Sequence, residues 1–105
     1  MAVLKITEEN YEKDVLKSDV PVIIDFYADW CEPCKMMSPI IDALAEELGD
    51  KIKVGKINTD ENINLAQNYN IMSIPTILVI KNGNIVKTFI GVTDKATIIN
   101  ELNNI

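Results

Sequence analysis

The sequence contains no histidine and no arginine: its ten basic residues are all lysine, set against sixteen acids for a net charge of −6. Without histidine there is no Ser-His or Cys-His catalytic pair and no imidazole ligand for a metal. Without arginine there is no bidentate guanidinium clamp, and an acidic chain with scattered lysines lacks the electrostatic footprint of a nucleic-acid binder. Cysteine is scarce too. The only two stand three positions apart, which is not the disulfide framework of a small secreted protein. No apolar run approaches membrane-spanning length, and the opening MAVLKITEENYEKD shows neither the apolar stretch nor the small-residue cleavage pattern of an export signal. These absences lead to the expectation of a cytoplasmic protein with no nucleic-acid or membrane partner; a monomer is expected. Cysteine, carboxylate and lysine remain as the groups able to carry chemistry.

What is present is apolar residue in quantity. At 105 residues and 48% hydrophobic composition the chain is long enough for one domain that folds around its own core, without crosslinks or metals. No repeat, low-complexity tract or linker divides it. Val3 to Ile6 reads as a short strand. Thr7 followed by Glu8 and Glu9 reads as the cap and first turn of a helix running to about Lys17, with Ile6 and Tyr11 as its staple and Tyr11, Val15 and Leu16 as its apolar face. Val20 to Ala28 is rich in β-branched residues and nearly continuously apolar, the pattern of a strand buried on both faces, interrupted by Asp25. From Pro33 to Leu48 the apolar positions recur at helical spacing and Gly49 sits at the stop, with Pro39 inside as a point of kinking. Ile52 to Asn58 predicts a second buried strand, and Ile63 to Tyr69 a short helix stopped at Asn70. Thr76 to Lys81 and Asn84 to Ile90 form a hairpin about Asn82-Gly83. A last helix, capped at Thr93, carries Ala96, Ile98, Ile99, Leu102 and Ile105. Strands joined through helices pair in parallel and the hairpin pairs antiparallel, so the fold class is α/β: a mixed five-stranded sheet flanked by four helices. In such sheets function gathers where strands run out into helices.

Cys31 lies at such a junction, between the strand ending near Ala28 and the long helix. Unpaired N–H groups and the helix dipole favour an anion there, so its thiol should ionise more readily than usual. Cys34 is one helical turn on and faces the same side, close enough to attack a mixed disulfide on Cys31, and is expected to be the more buried of the two. Pro33 suits the first helical turn because it needs no donor. Asp25, a lone carboxylate in a buried strand, should be pushed toward its protonated form and so be able to move a proton near neutral pH.

The segment Asp25-Phe26-Tyr27-Ala28-Asp29-Trp30-Cys31-Glu32-Pro33-Cys34-Lys35-Met36 resembles the active-site signature of the thioredoxin family. Pro39, Ser73-Ile74-Pro75-Thr76, Lys81-Asn82-Gly83 and Gly91 match further family motifs in order, so the resemblance covers the whole chain. It implies a thiol–disulfide oxidoreductase that reduces disulfides in client proteins, regenerated by a thioredoxin reductase, with no cofactor and no metal. It further implies Cys31 as nucleophile, Cys34 as resolving thiol, Asp25 as the carboxyl exchanging protons with Cys34, and Lys56 as the lysine beside that aspartate. Trp30, Ile74, Pro75 and Gly91 would line the apolar surface that receives the client, with the backbone beside Pro75 pairing to it. Two positions depart from the commonest family pattern: Glu32, where glycine is usual, and Tyr27, where tryptophan is frequent. Glu32 places a negative charge beside Cys31 that opposes thiolate formation and so tunes the redox balance.

Three other readings stay open on the sequence. The same exchange run in reverse would make an oxidase or isomerase, a glutathione-dependent enzyme would use the same cysteine spacing, and a binding module would leave the thiols incidental. A zinc site is incomplete, since no second cysteine pair or histidine exists to complete four ligands.

Overall fold

Val22–Tyr27 (β2) carries five consecutive buried residues before it reaches the surface at Tyr27, because it occupies the middle of the sheet. In the computed structural model, which describes residues 3–105, β2 pairs in parallel with Lys53–Asn58 (β3) and antiparallel with Thr76–Lys81 (β4). Leu4–Lys5 (β1) adds to the far side of β3, and Asn84–Ile90 (β5) to the far side of β4, giving the order β1-β3-β2-β4-β5. The hairpin between β4 and β5 turns on Asn82 and Gly83, both at positive φ (53° and 80°), the backbone that a tight two-residue turn demands.

Side chains alternate across the sheet, so each strand feeds two cores. On one face Ile23, Val54, Ile77, Val79 and Phe89 pack under Met37, Ile41, Leu44 and Ala45 of Glu32–Leu48 (α1) and Ile98 of Lys95–Leu102 (α3). On the other, Ile24, Phe26, Ile57 and Leu78 pack with Val15 and with Leu65 of Ile63–Asn68 (α2). Tyr69 seals that second core with edge contacts to Phe26 and Tyr11, at ring distances of 6.0 and 5.9 Å. The mixed α/β architecture with four helical segments is the one the sequence predicts.

The first helical segment departs from expectation. Thr7 does not cap a helix; it closes a turn with Asn10, the Thr7 amide donating to Asn10 Oδ1 at 2.8 Å and the Asn10 amide to Thr7 Oγ1 at 3.4 Å. That side-chain competition for backbone groups delays the helix, and the chain then forms a short π-helical stretch, Glu12–Leu16. Tyr11 still joins the core that holds Ile6, as the staple requires, whereas Leu16 is exposed. β1 is shorter than Val3 to Ile6, although the Ile6 amide extends the pairing by donating to Lys56 O. The cap of α3 is Asp94, whose Oδ1 accepts the Thr97 amide at 2.8 Å, rather than Thr93, which turns its hydroxyl back to Gly91 O. This cap sets the helix so that Ile98 is buried and Ala96 faces outward. Asn70 takes the expected left-handed stop (φ 54°), and α1 runs continuously through Pro39.

Candidate active site

β2 delivers the chain to the carboxyl edge of the sheet, where Ala28 O accepts the Cys31 amide at 3.2 Å and bends the backbone into α1. Cys31 is the N-cap of that helix, in an extended conformation, and its Sγ accepts the Cys34 amide at 3.2 Å. Pro33 fills the first turn, where a missing N–H costs nothing. The two sulfurs are joined as a disulfide, with Cα atoms 5.2 Å apart. Cys31 and Cys34 are equally buried at 4% exposure, so the expected difference between them is absent in this oxidised state. They differ instead in position. Cys34 lies within the helix, whereas Cys31 Sγ is 3.8 Å from the carbonyl oxygen of Ile74, at the rim of the loop carrying the cis Ile74–Pro75 bond. A disulfide sulfur has no proton to give that oxygen, so this approach becomes a donor contact only in the thiol form.

That loop is fixed against the end of β5. Gly91 donates its amide to Pro75 O at 2.9 Å while holding φ at 87°, a conformation that L side chains rarely adopt. Ile74, Pro75 and Gly91 are therefore brought together beside Cys31. Trp30, the residue before Cys31, is 68% exposed, with its indole N–H donating to Asp60 Oδ2 at 2.8 Å. Asp60 is held in turn by Asn58, whose Oδ1 accepts the Asp60 amide at 2.9 Å. Buried Asn62 donates to Asn58 O and accepts from the Glu8 amide, both at 3.0 Å. Asn58, Asp60 and Asn62 were not marked by sequence reasoning. The signal was present in Asn58-Thr59-Asp60 at the end of a buried strand, the composition of an Asx turn.

Asp25 sits on the same face of β2 as Ile23, the face that α1 covers, with Lys56 of β3 and Ile77 of β4 as its register partners. It is 4% exposed, and its Oδ1 has no hydrogen-bond partner. Burial pushes its carboxyl up to about 7, against the opposing pull of the Lys56 ammonium. The Lys56 ammonium itself lies over the Tyr27 ring, 5.7 Å from the centroid. Glu32 and Lys35 form an exposed ion pair at 3.2 Å on the outer side of the first turn. Among the described residues no three acidic or cysteine side chains converge as metal ligands. No helix among them is long and apolar enough to cross a membrane.

A helix-capped cysteine pair, a cis-proline loop against one sulfur and a buried acid beneath the same helix form one arrangement, and sequence comparison agrees with it. The thioredoxin family profile matches residues 2–104. The chain belongs to the thioredoxin family. It is 47% identical to the thioredoxin of Porphyra purpurea over 103 residues, covering 98% of this chain and 96% of that one. It is 48% identical to the thioredoxin of Rickettsia felis over 98 residues, covering 93% of each. With thioredoxin 1 of Synechococcus elongatus it shares 43% over 98 residues, 93% of this chain and 92% of the other. Membership together with the Cys31–Cys34 pair makes the protein a dithiol–disulfide oxidoreductase.

The buried carboxyl has a consequence for stability. Because the folded pKa of Asp25 is raised above its unfolded value of 3.8, the folded state keeps a proton that the unfolded chain has lost, and stability falls as pH rises from about 4 to about 7. Above that window the ionised group costs on the order of 4 kcal/mol. Asp25→Asn is therefore expected to raise stability by a few kcal/mol at pH 8 and by little at pH 4. Urea denaturation of both proteins at the two pH values tests it, and an equal gain at both would contradict the burial account.

Proposed function

We propose that the protein reduces disulfides in client proteins, with Cys31 as nucleophile, Cys34 as resolving thiol and Asp25 as the proton exchanger. The observation that carries this reading is the position of Cys31 as N-cap of α1, with its sulfur taking the Cys34 amide. When the pair is reduced, a negative charge on that sulfur meets an oriented N–H and the positive end of the helix dipole, so Cys31 is the thiol that ionises. Its thiolate attacks one sulfur of the client disulfide; a Cys31–client bond forms and the other client sulfur leaves as thiolate. Cys34 then gives its proton to the Asp25 carboxylate and attacks Cys31 Sγ. The second client sulfur leaves, two electrons have passed to the client, and the Cys31–Cys34 disulfide remains. Asp25 releases the proton afterwards. A pKa near 7 suits a group that must take and return a proton at neutral pH. Lys56 sets the electrostatics of that step.

Trp30, Ile74, Pro75 and Gly91 form the client surface in this reading, shallow and apolar around the sulfurs, with the Ile74 backbone beside Pro75 pairing to an extended client segment. Contacts of this kind suit many clients. A thioredoxin reductase returns the disulfide to the dithiol, and the setting that keeps such a cycle running toward reduction is the cytoplasm. The protein acts as a monomer, without nucleic acid. Pro33 fixes the first turn, and Glu32 shifts the redox balance slightly, since its charge is exposed and paired with Lys35.

Two experiments test these roles. Cys34→Ser leaves the mixed disulfide unresolved, so it is expected to accumulate client adducts that mass spectrometry locates on Cys31 and dithiothreitol releases. Cys31→Ser is expected to accumulate none, and equal trapping by both variants would refute the assignment. Glu32→Gly removes the charge opposing the thiolate, so the potential is expected to become less negative, by no more than about 20 mV for an exposed, screened group. An unchanged potential would remove Glu32 from the tuning role.

A further inference from the structure

Lys56 stands directly across from Asp25 in the parallel β2–β3 register, yet among the described residues it forms no ion pair with that carboxyl. A half-buried ammonium within reach of a buried carboxylate ordinarily closes onto it, since each charge otherwise loses solvation without compensation. Here the Asp25 Oδ1 atom is left without any partner, and the ammonium lies over the ring of Tyr27 instead. Tyr27 follows Asp25 by two residues and so lies on the same face of β2. It also packs against the cluster of Ala28, Cys31 and Cys34. One side chain therefore meets both the lysine and the cluster that holds the disulfide.

We propose that Tyr27 is a positioning residue: its ring holds the Lys56 ammonium out of contact with Asp25, which keeps that carboxyl free to exchange a proton with Cys34. The inference rests on the proton-exchange reading of Asp25 given above. An aromatic face attracts a cation through its quadrupole, and the attraction strengthens where water is partly excluded. The ring stays neutral while it does so. Burial, and then the nearby Asp29 and Glu61 charges, push the Tyr27 hydroxyl above the ordinary phenol range, opposed by a hydrogen bond from Asn58. Few other groups act on Asp25. β3 brings Lys56, β4 brings apolar Ile77, α1 brings the cysteine pair, and β2 itself brings Ile23 and Tyr27. Moving the Lys56 ammonium onto the carboxylate would lower its proton affinity, and a carboxylate so stabilised is too weak a base to take the Cys34 proton near neutral pH. Tyr27 thus supplies the aromatic face at a position where tryptophan is frequent in the family.

The test is a carboxyl-carbon NMR titration of Asp25 in the full chain, kept in the disulfide form so that no thiol titrates alongside. Tyr27→Leu frees the ammonium to pair with Asp25, and the Asp25 midpoint is expected to fall by at least about one pH unit. Tyr27→Phe keeps the aromatic face and is expected to titrate within about 0.3 units of the parent protein. A midpoint that stays or rises in Tyr27→Leu overturns the proposal, as does a Phe variant that matches the Leu variant. Should Tyr27→Leu fail to fold, the parent protein decides: the Lys56 ε-methylene protons are expected upfield, shifted by the ring, and unshifted resonances overturn the proposal. Failure of the proton-exchange reading is separable, because Asp25→Asn with unimpaired turnover would remove that role while leaving the titration result intact.

Discussion

The hydrogen bond from the Cys34 amide to Cys31 Sγ is the interaction around which the rest of the site is arranged. It exists because β2 ends where it does. A central strand with five buried residues cannot shift along the sheet, so Ala28 is fixed at the edge, the Cys31 amide closes onto Ala28 O, and α1 must begin at the next residue. The apolar stripe of α1, from Met37 to Ala45, then presses the helix onto the sheet and keeps its first turn against Ile74 and Tyr27. Each of these contacts is ordinary packing. Together they aim the Cys34 amide at one sulfur and leave the other inside the helix.

The same packing makes a carboxyl at position 25 expensive. β2 could be apolar throughout, and the fold would be more stable above neutral pH for it. The cost is carried by the two cores on either face of the sheet, where Ile23, Ile24, Phe26, Met37, Ile77 and Ile98 are all essentially inaccessible to solvent. A buried acid that is also denied an ion pair is a consistent arrangement only if its proton is meant to move. Lys56 over the Tyr27 ring and the unpartnered Asp25 Oδ1 are two sides of that arrangement.

Much of this was legible in the sequence because it is written in periodicity and in turn chemistry. The run from Val20 to Ala28, of which the strand takes Val22–Tyr27, the helical spacing from Met37 to Leu48, and Asn82-Gly83 each have a single good solution, and the structure adopts it. Cys31 and Cys34 were legible for the same reason, as a spacing at a strand-to-helix junction. The misreadings arose where short polar side chains decide the backbone. Thr7 and Asn10 satisfy each other and delay a helix that pattern alone begins at once, and Asp94 outcompetes Thr93 by accepting the Thr97 amide. The tether running from Trp30 through Asp60 and Asn58 to Asn62 and Glu8 joins segments more than fifty residues apart. No local pattern encodes such a connection. The ring of Tyr27 beneath Lys56 was hidden likewise, since cross-strand neighbours appear only once the register is known.

The most direct test of the account is the ionisation of Cys31 itself. In the fully reduced protein, the ultraviolet absorbance of the thiolate can be followed with pH, with Cys34→Ser used to isolate Cys31. Helix capping requires Cys31 to titrate clearly below the value near 8.5 of an unperturbed cysteine. A Cys31 that titrates at or above that value would show that the helix N-terminus does not activate it, and the division of labour between the two sulfurs would fall with it.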